Sequence, residues 1–169
     1  DKVNLLIVDG STTGYIWNIT DSTNSTVTTN YPAGTHVAQI DGYFIVNVPD
    51  TLKAQFSAIN DPSSWNTLDT ITKEGTTDNV TALIAHNGKL LMMGDQSYEW
   101  YQPTGDVNNP FLRISGTNIN IGIEAPYSLA ENGRSAFWLG SNSQGFGQVF
   151  MSQGFEAVPI TTIPMERDI

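Results

Sequence analysis

The stretch from Val80 to Tyr101 reads VTALIAHNGKLLMMGDQSYEWY, and it decides the fold prediction. An apolar run, Ala82 to Ala85, meets Asn87-Gly88, and a second apolar run, Leu90 to Met93, follows. Asn-Gly between strand-like runs indicates a β-hairpin, because a type I′ turn needs positive φ at both central residues. With a third strand predicted over Tyr98 to Tyr101, the stretch forms a three-strand meander. Since neither apolar run alternates with polar residues, we expect both faces of the sheet to be covered.

The same unit recurs on both sides of this stretch. Asp41-Gly42 upstream and Asn132-Gly133 downstream each stand between two apolar, strand-like runs. The turns are spaced at 46 residues, from Asp41 to Asn87, and at 45 residues, from Asn87 to Asn132. A period in the forties with a hairpin at one fixed point is typical of β-propeller blades. We therefore predict an all-β fold of β-propeller-type blades, each an antiparallel meander packed face to face against its neighbours.

The length predicts a partial propeller of about three to three and a half blades, since four blades of roughly 45 residues would need about 180. Residues 1–169 are interpreted as one such domain. The chain opens directly in strand-like sequence, Val3 to Val8, without an initiator Met, and we expect it to be an excised or processed piece of a longer protein, or one that completes its ring with other chains. Asp9-Gly10 lies only 32 residues before Asp41. Either the first unit is shortened or this turn is not the equivalent one.

The sequence also predicts the local structure of several further segments. Thr20 to Asn30 is almost wholly polar and is expected to be a hairpin tip with a polar edge strand. Pro159 would place the last apolar segment at a sheet edge, because proline cannot donate to a strand ladder. Thr117 to Ile123 shows the cleanest alternation of period two in the chain. Clusters of turn-forming residues predict a turn or a polar connection at Asn60 to Trp65, Thr72 to Asp78 and Gly140 to Gly147.

Composition excludes several classes of function. The chain has 7 Lys plus Arg against 17 Asp plus Glu, a formal net charge of −10. Such a surface repels phosphate and anionic lipid, so neither an extended nucleic-acid face nor a membrane surface is expected as a partner. Without cysteine there is neither a disulfide framework nor a thiolate metal site. No apolar run approaches the roughly 20 residues of a membrane-spanning helix.

Candidate catalytic and metal-binding residues are few. The two histidines, His36 and His86, lack the spacing of a metal motif. A glycosidase needs two carboxylates, one as proton donor and one as nucleophile or base. Six acidic residues are candidates by composition alone: Asp69, Glu74, Asp78, Asp95, Glu99 and Glu124. We predict no catalytic residues, no metal site and no cofactor.

The four tryptophans are interpreted mainly as blade core rather than as a platform for stacking sugars. Three of them, Trp17, Trp100 and Trp138, fall in predicted strands. Trp65 ends the turn that begins at Asn60, where an exposed ring is conceivable. Because amphipathic aromatic side chains are favoured at interfaces, Trp65 is the one residue proposed as a partner contact.

A set of short motifs, taken in order, resembles the phage stabilisation protein family. The resemblance covers roughly Gly34 to Ile169. Its upstream motifs are Phe56-Ser57, Asn60-Asp61-Pro62-Ser63-Ser64-Trp65, Leu83-Ile84, Asn87-Gly88-Lys89-Leu90, Gly94, Ser97 and Glu99-Trp100-Tyr101. Its downstream motifs are Pro110-Phe111, Arg113, Gly122-Ile123, Ala125-Pro126, Trp138-Leu139-Gly140 and Ile160-Thr161-Thr162.

The resemblance implies a packaged-DNA stabilisation or tail accessory protein of a short-tailed phage. Such a protein sits below the portal, helps close its channel after packaging, and links the portal and its adaptor to the distal tail. The implied location is the virion tail, after assembly in the host cytoplasm, and the implied assembly is a ring, with a hexamer expected. No catalytic residues carry over. The alternative from another class is a carbohydrate-binding or glycan-cleaving propeller, which would need two carboxylates about 5 to 10 Å apart in a cleft.

Overall fold

The computed structural model describes residues 3–141 and 147–161, which form four antiparallel sheets. Sheet A contains β1 (Asn4–Ile7), β2 (Gly14–Asn18) and β3 (Thr23–Val27). Sheet B contains β4 (Val37–Ile40), β5 (Tyr43–Asn47), β6 (Lys53–Ala58) and β7 (Asp61–Thr72). Sheet C contains β8 (Ala82–His86), β9 (Lys89–Met93), β10 (Tyr98–Pro103) and β11 (Phe111–Arg113). Sheet D contains β12 (Ala130–Glu131), β13 (Ala136–Ser141), β14 (Gly147–Gln153) and β15 (Glu156–Pro159), preceded by a 3-10 turn at Pro126–Ser128.

The central meander is confirmed. β8, β9 and β10 pair in sequence order, and the first hairpin closes on the pair His86 and Lys89. Asn87 and Gly88 have φ values of 50° and 69°, as a tight type I′ connection requires. The upstream Asp41-Gly42 turn has the same left-handed backbone. Both hairpins follow from local sequence, because only residues that tolerate positive φ connect strands at this distance.

Neighbouring sheets pack face to face, which explains why the central strands are apolar on both sides. In β9, Leu90 and Met92 belong to the hydrophobic cluster between sheets B and C. Leu91 and Met93 point the other way, into the cluster between sheets C and D. A third cluster joins sheets A and B. All four of these β9 side chains are fully buried, so the predicted covering of both faces is confirmed.

The stack is open, and the predicted all-β partial-propeller fold class is confirmed. Among the described residues, no hydrophobic cluster joins sheet A to sheet D. Three sheets have four strands and sheet A has three. No helix in the described part of the chain has the length and hydropathy needed to cross a membrane.

The irregular first repeat has a structural cause. β3, the last strand of sheet A, contacts β7, the last strand of sheet B. The three strands of sheet A therefore correspond to the last three of a four-stranded sheet. Asp9-Gly10 lies in the connection between β1 and β2, and Ile7 and Tyr15 are the strand pair nearest to this connection. It is thus not the equivalent of Asp41-Gly42, and the second of the two alternatives left open by the sequence is correct.

The downstream repeat was only partly predicted. The run before Asn132-Gly133, residues 127–130, is strand-like in sequence, but the 3-10 turn occupies Pro126–Ser128 and β12 has two residues. The hairpin closes on Glu131 and Ala136, so residues 132–135 form a loop rather than a two-residue turn. The carboxylate of Glu131 and the side-chain amide oxygen of Asn132 accept backbone N–H groups within this loop. Side-chain acceptors, rather than an Asn-Gly turn, shape this connection.

Two other segments also differ from expectation. The turn predicted at Asn60 to Trp65 is shorter than expected, since Asn60 alone has positive φ and β7 begins at Asp61. Ser57 pairs with Trp65 and Ala58 with Asp61, so the residues between bulge out of the ladder. The alternating segment from Thr117 to Ile123 forms only a single bridge, between Ile119 and Tyr98. There the Thr117 hydroxyl accepts the N–H of Trp100 at 3.2 Å, in place of a backbone partner.

The edge predictions are confirmed. β3 is the polar edge strand expected within Thr20 to Asn30, and only Val27 of its residues is buried. β15, which contains Pro159, lies at the edge of sheet D. Most of the turn predicted at Gly140 to Gly147 falls on residues 142–146, outside the described residues.

Candidate functional site

A buried ion pair ties the segment between sheets B and C to sheet C. Lys73 Nζ lies 2.5 Å from Asp78 Oδ1, and both side chains are at most 3% exposed. Nζ also donates to Ser97 Oγ at 2.8 Å, and this hydroxyl donates to Asp78 Oδ1 at 2.9 Å. The other Asp78 oxygen accepts the backbone N–H groups of Gln96 and Ser97, and the Thr76 hydroxyl donates to Oδ1. Burial alone would raise the pKa of Asp78, but these hydrogen bonds, led by that from Lys73, hold it well below its usual range.

A second buried carboxylate, Glu99, lies beside this pair and holds the same segment. Its Oε1 accepts the backbone N–H of Gly75 at 2.5 Å, and its Oε2 accepts that of Glu74 at 3.2 Å. The Tyr101 hydroxyl donates to Oε2 at 2.7 Å. Arg113 approaches Oε1 at 3.8 Å from a partly exposed position. Burial and the bond to Glu99 raise the pKa of the Tyr101 phenol, so it remains a neutral donor.

Both clusters hold backbone segments in place. Every oxygen of Asp78 and Glu99 accepts at least one hydrogen bond from the protein itself. A glycosidase acid needs a raised pKa and access to the substrate, whereas Asp78 has a lowered pKa and is buried. What the arrangement does is fix the path of residues 73–78 against β10. Sequence reasoning treated this segment as a polar connection, and no spacing or motif indicated that Lys73 and Asp78 would be buried together.

The other candidate carboxylates lie elsewhere on the chain surface. Glu74, Asp95 and Glu124 are exposed, and Asp69 is half-buried. No group of three or more His, Cys, Asp or Glu side chains within residues 3–141 and 147–161 is arranged to hold a metal ion.

Both histidines contact residues that are distant in sequence. His36, which precedes β4, lies with Nε2 3.1 Å from the Pro126 carbonyl oxygen, so Nε2 carries the donated proton. Its ring stacks on Tyr127 with centroids 5.0 Å apart. Burial lowers the pKa of His36, although the Pro126 carbonyl opposes the shift. His86 of sheet C lies with Nδ1 3.2 Å from the Glu131 carboxylate of sheet D. His36 thus joins the segment before sheet B to the turn before sheet D, and His86 joins sheet C to sheet D.

Three of the tryptophans are core residues, as predicted, and one is not. Trp100 and Trp138 are fully buried. Trp65 is 6% exposed and packs in the cluster between sheets A and B. Its Nε1 donates to the Pro62 carbonyl at 2.7 Å, and its ring meets Tyr31 edge to face. A partner contact by Trp65 stays a prediction. Trp17 was expected in the core but is 40% exposed, because it lies on the side of sheet A that no other sheet of the described residues covers.

The outer side of sheet A is an exposed apolar surface. Alternate residues of β1 and of β2 with its following residue point outward, and we call them the A face: Leu5, Ile7, Tyr15, Trp17 and Ile19. Each is between 40% and 56% exposed. They are contiguous, since Leu5 pairs with Trp17 and Ile7 with Tyr15 across the strands. Exposed apolar patches of this kind mark interaction sites more often than single exposed residues do.

Four stacked antiparallel meanders define an all-β fold of the β-propeller type. A comparison with protein families matches residues 2–169 to Phage_stabilise, described as "Bacteriophage P22 Gp10, beta-propeller". The chain belongs to this family of phage structural proteins. The resemblance drawn from the sequence is thereby confirmed, and the match also covers the residues before Gly34. No curated protein gives a significant match.

Proposed function

We propose that this protein is a component of the phage virion that acts at the junction of head and tail. There it helps to close the portal channel and to stabilise packaged DNA through contacts with portal, adaptor and tail proteins. The observation that carries the proposal is the family match over residues 2–169. The proposal assigns the protein no catalytic role.

The charge and surface of the chain support a role through protein contacts. A net charge of −10 disfavours a direct grip on DNA, because neutralising phosphates requires Lys and Arg. The two buried carboxylates are occupied by the protein's own donors, and the exposed A face is apolar. DNA would therefore be retained by blocking its exit, not by binding it.

Virion particles provide the test. A phage whose copy of this gene is disrupted is compared with the same phage supplied with the intact protein from a plasmid. We expect particles lacking the protein to package DNA and then lose it, as nuclease-sensitive DNA outside the capsid, and the supplied protein to restore retention and to be found in purified particles. Full retention of DNA by particles that lack the protein would overturn the proposal. So would restoration of retention by a supplied protein that is absent from the purified particles.

A further inference from the structure

The chain contains two Asn-Gly dipeptides, Asn87-Gly88 and Asn132-Gly133. In such a dipeptide the backbone nitrogen of glycine can attack the side-chain carbonyl carbon (Cγ) of asparagine, because glycine has no side chain to obstruct the approach. The attack forms a succinimide ring and releases ammonia. Both asparagines and both glycines are exposed to solvent. The surroundings of each dipeptide in the fold, rather than access to water, therefore decide how fast it reacts.

A carboxylate contacts the attacking nitrogen at Asn132-Gly133. Glu131 Oε2 accepts the Gly133 N–H at 2.9 Å, and the same oxygen lies 3.2 Å from His86 Nδ1. The Gly133 N–H and, second, His86 hold the pKa of Glu131 below its ordinary value, so the carboxylate is ionised near neutral pH. A carboxylate within hydrogen-bond distance of the proton it removes meets the geometric requirement for a general base.

Two backbone N–H groups contact the carbonyl group that is attacked. Asn132 Oδ1 accepts the N–H groups of Arg134 and Ser135, each at 3.0 Å. The backbone N–H of Asn132 donates to the Ser135 carbonyl at 3.2 Å, which closes the loop. Negative charge develops on Oδ1 as the glycine nitrogen adds to Cγ, and fixed backbone donors stabilise such charge. The loop thus supplies a base for the nitrogen and donors for the oxygen.

Asn87-Gly88 has a different environment. Among the described residues, no carboxylate accepts the Gly88 N–H and no backbone N–H donates to Asn87 Oδ1. The Asn87 amide group instead donates to His86 Nε2 at 2.9 Å. The paired residues His86 and Lys89 hold the turn on both sides, with Asn87 at a φ of 50°. The second dipeptide is therefore an internal control for the first.

We propose that Asn132 is a self-modification site, at which Glu131 takes the Gly133 amide proton and the side chain deamidates through a succinimide. As the bond from the Gly133 nitrogen to Cγ forms, the proton passes to Glu131 and then to Nδ2. Nδ2 leaves as ammonia when its bond to Cγ breaks, and Glu131 is ionised again. Water then opens the ring. Addition at Cγ gives aspartate, and addition at the backbone carbonyl carbon of residue 132 gives isoaspartate.

The product adds a negative charge beside a contact between two sheets. Glu131 of sheet D contacts His86 of sheet C, and the new carboxylate forms at the next residue. Isoaspartate also lengthens the backbone of the loop between β12 and β13. The site thus places slow, irreversible chemistry at this contact. The proposal does not depend on the portal, and its test does not involve the portal.

The test measures deamidation at each dipeptide of the folded protein. The protein is incubated near neutral pH, and peptide mapping by mass spectrometry quantifies asparagine, aspartate and isoaspartate at positions 87 and 132. We expect Asn132 to react at least about tenfold faster than Asn87. In guanidinium, where the chain is unfolded, the two sites should react at similar rates. A folded protein in which Asn132 reacts no faster than Asn87 would overturn the proposal.

The variant Glu131→Gln separates a base from a mere hydrogen-bond acceptor. Its side-chain oxygen still accepts the Gly133 N–H but does not take the proton. We expect deamidation at Asn132 to slow by about tenfold or more, whereas Glu124→Gln, at another exposed carboxylate, should leave the rate unchanged. Far-ultraviolet circular dichroism establishes that both variants remain folded. An unchanged or faster rate in Glu131→Gln would show that the hydrogen bond only restrains the nitrogen, and equal slowing in both variants would exclude a specific role for Glu131.

The pH dependence provides a further readout. Without a bound base, hydroxide removes the amide proton, so the rate rises steeply with pH. A carboxylate that is already ionised makes the rate less dependent on hydroxide. Between about pH 8 and about pH 9.5, we expect a shallower rise at Asn132 than at Asn87, and a steep rise at Asn132 in Glu131→Gln. Among the described residues, His86 is the titratable side chain that contacts Glu131. Equal slopes at the two sites of the unmodified protein would contradict the proposal.

Discussion

Lys73 and Asp78 form an ion pair of 2.5 Å in which both side chains are buried. The pair lies in the segment between sheets B and C, and it is extended by Ser97 and Thr76. A buried ion pair does not always stabilise a protein more than two well-packed apolar residues would. Removing only one partner, however, leaves an uncompensated charge in the interior. The segment's path thus depends on both residues being present.

Replacing Asp78 by Asn is expected to destabilise the protein strongly. The change leaves the Lys73 ammonium buried without a counter-charge and weakens the acceptors for two backbone N–H groups. The free energy of unfolding should fall by about 3–5 kcal/mol, measured by chemical denaturation. The control Asp95→Asn, at an exposed residue, should change it by about 0.5 kcal/mol or less. Similar losses of unfolding free energy in both variants would show that stability does not depend on the ion pair between Lys73 and Asp78.

The same carboxylate predicts an acid-dependent loss of stability. The pKa of Asp78 is lower in the folded protein than its ordinary value of 3.8, so the unfolded chain takes up this proton first as the pH falls. The stabilisation is complete above the ordinary value and is lost as the pH falls from there through the folded-state pKa. The Asp78→Asn variant should show a shallower dependence of unfolding free energy on pH in this acid range. If the unfolding free energies of the unmodified protein and of Asp78→Asn depend on pH in the same way, Asp78 is not the group responsible.

His36 predicts a second pH effect, nearer neutrality. Burial lowers its pKa from 6.5 in the folded protein, so the unfolded chain is protonated first. Its contribution is complete above the ordinary value and declines as the pH falls through that value toward the folded-state pKa. Unfolding free energies measured at about pH 7.5 and about pH 5.5 should differ less in His36→Gln than in the unmodified protein. Equal differences would mean that burial of the His36 ring does not disfavour its protonation.

Alanine substitutions at two glycines distinguish the cost of backbone strain from the cost of close packing. Gly88 has a φ of 69° and open space where a Cβ would lie, so Gly88→Ala should cost only the left-handed backbone, about 1–2 kcal/mol. A Cβ at Gly94 would lie 2.1 Å from Asp78 Oδ2, which would displace the carboxylate. Gly94→Ala should therefore cost about 3 kcal/mol or more in denaturation. A smaller loss at Gly94 than at Gly88 would show that the carboxylate can move without cost.

Local features of the fold were predictable from the sequence because they depend on a few adjacent residues. Asn87-Gly88 and Asp41-Gly42 tolerate the backbone that their turns need, and the unbroken apolar runs of β8 and β9 required cover on both sides. The two-residue turn predicted at Asn132-Gly133 was wrong, because the same dipeptide also fits a longer loop. There, Glu131 and the Asn132 side chain hold the backbone, which the dipeptide alone does not reveal.

The buried polar cluster was not predictable, because its members are far apart in sequence. Lys73 and Ser97 are 24 residues apart, and Glu99 meets Gly75 at the same separation. Their approach depends on how the connection crosses the end of sheet C. The exposure of Trp17 likewise depends on the position of sheet A at one end of the stack, since an identical residue in an inner sheet would be core.

The role proposed for this family member is that of a structural part of the phage portal and tail assembly. Native mass spectrometry of the intact protein, alone and mixed with the portal–adaptor complex of its phage, tests it most directly. We predict a defined complex in which several copies are bound to the portal–adaptor ring. Intact protein that stays free of this ring, under conditions in which the ring itself is preserved, would contradict the claim.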